Sequence, residues 1–102
     1  MVQVSGTNYV EIGSPIRLIC NATGRHQAPD DINWYRQGEE IQSNSRAGVV
    51  VSKKTTQRVL MSMLVIDNSR VSDDGEYSCH TSDGDAASID VHILNGELYS
   101  IC

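Results

Sequence analysis

The sequence predicts an all-β domain folded as a sandwich of two sheets, and three observations carry that reading. Apolar residues alternate with polar ones over short runs, the runs are divided by clusters of Gly, Pro, Asn, Asp and Ser, and no helical stripe interrupts them. Tyr9–Ile12 reads as an early edge strand ended by Gly13-Ser14-Pro15. Ile16–Cys20 follows, with Ile16, Leu18 and Cys20 on one face and Arg17 on the other. After a polar loop from Gly24 to Asp31, Ile32–Arg36 turns Ile32 and Trp34 the same way. Gln37-Gly38-Glu39-Glu40 makes a turn, and Gly48–Ser52 offers a short edge strand. In the long strand Val59–Ile66, Leu60, Leu64 and Ile66 share a face with Ser62. Glu76–Thr81 and Ala87–Leu94 form a hairpin across Ser82-Asp83-Gly84-Asp85-Ala86. Seven or eight such strands need a second layer to bury their apolar faces, hence two packed sheets.

Composition narrows the function. At 102 residues the chain fits one domain, assigned to 1–97, with 98–102 as a tail or the start of a stalk. A net charge of −5 and the lack of any basic block exclude nucleic acid and anionic lipid as expected partners. With 39% apolar residues there is enough for a core, but no run approaches the roughly 20 residues that span a bilayer. The opening MVQVSGTNYV has neither the basic start nor the apolar stretch of a signal peptide. If the protein is secreted, these residues are therefore expected to be a piece of a longer chain, with Met1 as an expression start.

The most informative residues are Cys20, Trp34 and Cys79, the last inside Asp73-Asp74-Gly75-Glu76-Tyr77-Ser78-Cys79, a D-x-G-x-Y-x-C string. Here the chain resembles the immunoglobulin superfamily over nearly its whole length, which implies an immunoglobulin-like Greek-key sandwich. Two cysteines alone are also compatible with free core thiols. Cys20 and Cys79 both fall on the inward phase of their strands, so one bond can join the sheets, and the resemblance implies that it does. Closing that loop stabilises the fold by roughly 4 kcal/mol, and such a bridge persists only in an oxidising, extracellular setting. The resemblance places the Trp34 ring on the sulfur pair and makes Tyr77 a tyrosine corner, its hydroxyl bonded to upstream backbone. Gly75 suits a turn with unusual dihedrals. Asp73 resembles the acid that pairs with an arginine across the sandwich bottom, and Arg46 is the partner assigned. Between Trp34 and Val59 there is room for a short C′ and a D strand but not for C″, and no F-G-x-G string follows Cys79. The domain is therefore read as I-set or C2-like.

Ile32-Asn33-Trp34-Tyr35 leading through Arg46-Ala47-Gly48-Val49, then Leu64-Val65-Ile66, then the final Ala87-Ser88-Ile89-Asp90-Val91-His92-Ile93-Leu94-Asn95-Gly96-Glu97 narrow the likeness. Together they resemble the second immunoglobulin domain of the insect Dpr (defective proboscis extension response) neuronal surface proteins. That resemblance implies a module of a neuronal adhesion or recognition protein, engaged in cell-cell recognition and synaptic partner choice. Because the likeness is to a second domain, it implies a spacer and orienting role, with heterophilic recognition carried by the first. The alternatives are a module of a secreted immune or growth-factor-binding protein, or of a receptor kinase ectodomain. Ser69, where an apolar residue is usual before the corner, and Cys102 depart from the family pattern.

Asn21-Ala22-Thr23 is an N-glycosylation acceptor, with Asn21 directly after inward Cys20 and so facing outward. Met61, Met63 and Val65 lie opposite the core phase of their strand, with Ile19 outward beside them. They are candidates for a contact patch, against the alternative of scattered surface apolar residues. The other sheet presents Asn33, Tyr35, Ser78, His80, Asp90 and His92. That face reads as polar and as a plain solvent face more than a sticky one, with Tyr35 its sole candidate anchor. His26, His80 and His92 do not converge, so no metal is expected. No spacing assembles a nucleophile, base and oxyanion donors, so neither an enzyme nor a cofactor is expected. Cys102 is the odd cysteine, read as an unpaired thiol at an expression remnant or a truncated edge rather than a link to a second chain. The expected partners are other immunoglobulin-domain surface proteins, with a weak homodimer as a further possibility. The expected location is the cell surface, through a GPI or transmembrane anchor outside these residues, or the secreted space.

Overall fold

The computed structural model describes residues 1–95; Cys102 and the tail assigned to 98–102 lie outside the described residues. Nine strands are present among those residues: β1 (Val2–Gly6), β2 (Tyr9–Glu11), β3 (Ile16–Thr23), β4 (Ile32–Arg36), β5 (Glu39–Ile41), β6 (Val49–Thr55), β7 (Val59–Ile66), β8 (Gly75–Thr81) and β9 (Ala86–Leu94). A single 3-10 turn, Val71–Asp73, precedes β8. The strands form two sheets, ordered β1-β3-β7-β6 and β2-β9-β8-β4-β5. All neighbours are antiparallel except β2, which runs parallel to β9. This is the predicted two-sheet sandwich.

Alternation places the core. In β3, Ile16, Leu18, Cys20 and Ala22 are buried while the residues between them are not; in β7, Leu60, Ser62, Leu64 and Ile66 do the same. Trp34 and Tyr77 are the largest fully buried side chains, and aromatic rings of this size dominate the energetics of a core.

The structure corrects several boundaries. Val2–Gly6, not expected to be a strand, pairs along β3 from Val2 opposite Ala22 to Gly6 opposite Leu18. Val2 and Val4 pack against the core from this edge. The turn expected over four residues closes in two, Gln37 and Gly38, and Glu39 and Glu40 enter β5. The strand expected to end at Ser52 runs on to Thr55 because β7 offers it partners as far as Leu60.

Gly6 explains how one chain edge serves both sheets. It ends β1 at φ +142°, and a Cβ there would sit 2.2 Å from the Arg17 carbonyl oxygen and 2.9 Å from the Leu18 Cα. Only glycine allows the backbone this close to β3. The chain then leaves the first sheet, and the Asn8 carbonyl accepts from His92 N–H at 2.7 Å while the Asn8 carboxamide donates to the Asp90 carbonyl at 3.0 Å. β2 is thereby captured as an edge of the second sheet.

Candidate recognition surfaces

A covalent and hydrogen-bonded pin holds the two faces at a fixed spacing. Cys20 on β3 is bonded to Cys79 on β8, so the bridge joins the two sheets. Trp34 lies directly opposite Cys79 in its own sheet, and Ser62 lies directly opposite Cys20 in the other. The indole Nε1 donates to the Ser62 hydroxyl at 2.9 Å, and that hydroxyl donates to the Ser52 carbonyl at 3.0 Å. A serine in the core row is thus the acceptor that lets a buried tryptophan satisfy its N–H.

The D-x-G-x-Y-x-C segment builds the lower corner. Arg46 donates from Nη1 and Nη2 to the two carboxylate oxygens of Asp73, at 2.7 and 2.6 Å. Asp73 also accepts the Arg70 N–H at 2.8 Å, and its carbonyl accepts the Tyr77 hydroxyl at 2.7 Å. Burial alone pushes the Asp73 carboxyl pKa up, but the Arg46 and Arg70 hydrogen bonds outweigh it and hold the carboxyl below its ordinary value. Burial, reinforced by the Asp73 charge, pushes the Tyr77 phenol up to about 12. Gly75 stands at φ +142°, beside the Arg36 and Gln37 side chains. Two links were not read from the sequence: Arg36 donates to the Asp74 carbonyl at 3.2 Å, and Asp74 Oδ2 accepts the Ile93 N–H at 2.9 Å. Neither has a sequence signal, since both arise where three strands meet.

Ser69 is buried at this end of the sandwich. Its hydroxyl donates to the Glu11 carbonyl at 3.3 Å, and its backbone bonds to Gly13 and Ser14. The polar residue at a usually apolar position therefore ties the turn after β2 to the corner.

The five-stranded sheet presents Asn33, Tyr35, Ser78, His80, Asp90 and His92 outward, and the structure adds Tyr9. The expectation of a single aromatic on this face is corrected. Tyr9 is 67% exposed and stacks on His92 with ring centroids 5.2 Å apart, because β2 brings it directly opposite. Tyr35 meets His80 edge-on at 4.8 Å, and His80 Nε2 lies 3.0 Å from the Ser78 hydroxyl. The two pairs sit on different strands of one face, an outer and an inner aromatic–imidazole contact.

The four-stranded sheet is different. Val50 on β6 lies opposite Val65 on β7, Met63 opposite Ile19 on β3, and Met61 opposite Asn21. Val50 and Met63 are exposed; Ile19, Met61 and Val65 are half-buried. Asn21 is half-buried too, between Gln3 on β1 and Met61 on β7. The apolar residues form a contiguous row across three strands, and Asn21 stands at its end.

His26 lies in the loop before β4, in a surface cleft that it shares with Ser82 and Asp83 of the β8–β9 turn. Among the described residues no group of three or more His, Cys, Asp or Glu could hold a metal ion, and no buried polar side-chain atom lacks a hydrogen-bond partner.

A family model described as "Immunoglobulin domain" matches residues 1–83. The rat tyrosine-protein kinase receptor TYRO3 is 28% identical over 80 residues, 78% of this chain but 8% of that protein. Among solved structures, a crystal structure of Dpr2 Ig1-Ig2 in complex with DIP-Theta Ig1-Ig3 aligns with a TM-score of 0.75 and 24% identity, covering 92% of this chain and 49% of that one. A crystal structure of the ZIG-8 IG1 homodimer aligns with a TM-score of 0.66 and 19% identity, covering 91% and 84%. The chain thus spans a small part of the curated relative and about half of the first of these structures.

Proposed function

Since the chain belongs to the immunoglobulin domain family, we propose that it is an extracellular recognition module of a cell-surface protein, acting by binding and not by catalysis. One observation carries this reading most. The interior is committed to holding two sheets together, with no buried polar side-chain atom among the described residues left unpartnered, while one broad polar sheet face presents Tyr9 and Tyr35 to solvent-side partners. Amphipathic aromatic rings on a rigid sheet are the kind of anchor that protein interfaces use. A disulfide spanning the core agrees with an oxidising location.

The partners proposed are other immunoglobulin-domain surface proteins. Dpr2 is seen with an immunoglobulin-domain partner and ZIG-8 IG1 with itself, and the resemblance of the final strand to the second Dpr domain favours neuronal recognition with a spacer and orienting role here. The likeness to TYRO3 favours a second reading, a module in a receptor kinase ectodomain. The sequence of the whole protein separates the two, since a cytoplasmic kinase domain belongs only to the second. The first is tested by screening the ectodomain that contains this module against a panel of immunoglobulin ectodomains in a surface-binding assay. Saturable binding to at least one is expected; a panel with no binder contradicts the proposal.

A further inference from the structure

Resting on that extracellular reading, we propose that Asn21 carries an N-linked glycan whose first sugar lies on the apolar row of Met61, Met63 and Ile19, so that the protein's own carbohydrate covers this sheet. Asn21 and Thr23 share the outward face of β3 with buried Ala22 between them, so both polar members of the acceptor triplet point away from the core. Among the described residues no hydrogen bond engages the Asn21 carboxamide, and no buried side-chain polar atom is left unpartnered. Its oxygen and nitrogen therefore reach solvent.

The register supplies the second half of the argument. Residues directly opposite on antiparallel strands stand about 5 Å apart at Cβ, and diagonal neighbours about 7–8 Å. Met61 is the direct partner of Asn21, Met63 is its diagonal neighbour, and Ile19 faces Met63. A pyranose has one face built of C–H groups, and two unbranched methionines adapt to such a surface better than any rigid side chain. The row would otherwise leave adjoining apolar side chains open to water beside exposed Met63 and Val50. A glycan rooted at its end covers it permanently and bars a protein from the same place, leaving the Tyr9–Tyr35 face as the one free to meet a partner. In the transfer, Asn21 Nδ2 bonds to the anomeric carbon of a lipid-pyrophosphate-linked oligosaccharide. The bond from that carbon to the pyrophosphate oxygen breaks, the lipid pyrophosphate leaves with the electron pair, and the amide proton passes to a base of the transferase.

The test uses the chain expressed through a secretory pathway. Intact mass is measured first, then the fluorescence of the dye 1-anilinonaphthalene-8-sulfonate on three forms: fully glycosylated, trimmed to a single N-acetylglucosamine, and fully deglycosylated after folding. Added mass lost on Asn21→Gln or Thr23→Ala is expected, with low dye signal for the first two forms and a several-fold rise for the third. Met61→Ser with Met63→Ser should remove that rise. Secretion without added mass at Asn21, or a one-sugar form as bright as the bare one, overturns the proposal. Deglycosylating already folded protein keeps the test valid if the Asn21 variant is not secreted. None of these outcomes bears on binding to immunoglobulin ectodomains, which is measured separately.

Discussion

At the scale of single residues, Ser62 and Asp73 decide whether large buried side chains are tolerated. Alternation alone puts Ser62 in the core row, but its purpose appears only when β4 sets the Trp34 indole 2.9 Å away. Ser62→Ala leaves that N–H and the Ser52 carbonyl without their partner. The expected loss is about 1–3 kcal/mol in chemical denaturation, with Ser62→Thr milder than Ser62→Ala if the hydroxyl is what matters. Arg46→Ala strands the Asp73 carboxylate and should cost roughly 2–3 kcal/mol, in the range for a charged hydrogen-bonded group. The pH dependence has a defined sign. The folded Asp73 carboxyl lies below its ordinary value, so its contribution is complete above an unfolded pKa of about 3.9 and disappears as pH falls through the lower folded value. The folded Tyr77 phenol lies at about 12. Its contribution is complete below the unfolded value of about 10 and is lost as pH rises through the folded one. Stability measured against pH should therefore fall at both ends, the acid limb flattening in Asp73→Asn and the alkaline limb in Tyr77→Phe.

At the scale of elements, the strands with strong alternation are legible from sequence, and those defined by their neighbours are not. Val59–Ile66 has the same bounds in both readings because its apolar phase runs unbroken. β1 carries little local signal, since Val2-Gln3-Val4-Ser5 shows only two apolar residues and its stability comes from the β3 backbone opposite. The local pattern of β2 marks an edge strand, but its parallel pairing with β9, and hence the Tyr9–His92 stack, depends on a crossing between sheets that no local pattern encodes. Gly6 controls that crossing. Gly6→Ala forces a Cβ into the Arg17 carbonyl at φ +142°, a backbone region that costs an L residue about 1–3 kcal/mol before any clash. Overall stability should fall by roughly 2 kcal/mol or more, and hydrogen exchange should show β1 amides losing protection while those of β7 and β8 keep theirs.

For the whole molecule, the disulfide dominates. Cys20 and Cys79 are 59 residues apart in sequence, and cross-linking a loop of that length stabilises the fold by about 4 kcal/mol on the chain-entropy estimate. A Cys20→Ala, Cys79→Ala variant should show a large drop in denaturation midpoint. The layered fold was legible because cysteine phase, Trp34 and the Asp73–Cys79 string all point to one architecture, and their agreement outweighs any single signal. The character of the faces was less so: the polar face holds a second tyrosine, and only the β3–β7 register sets Asn21 beside Met61 at the end of the apolar row. The role proposed for this module is chiefly to orient a recognition surface on another domain of its protein, with its own Tyr9–Tyr35 face a secondary contact. The most direct measurement compares affinity for the same immunoglobulin ectodomain, by surface plasmon resonance, between this domain alone and the longer ectodomain that contains it. The account predicts binding at least tenfold weaker for the domain alone. Equal affinity for the two would contradict it and place recognition on this domain's own sheet.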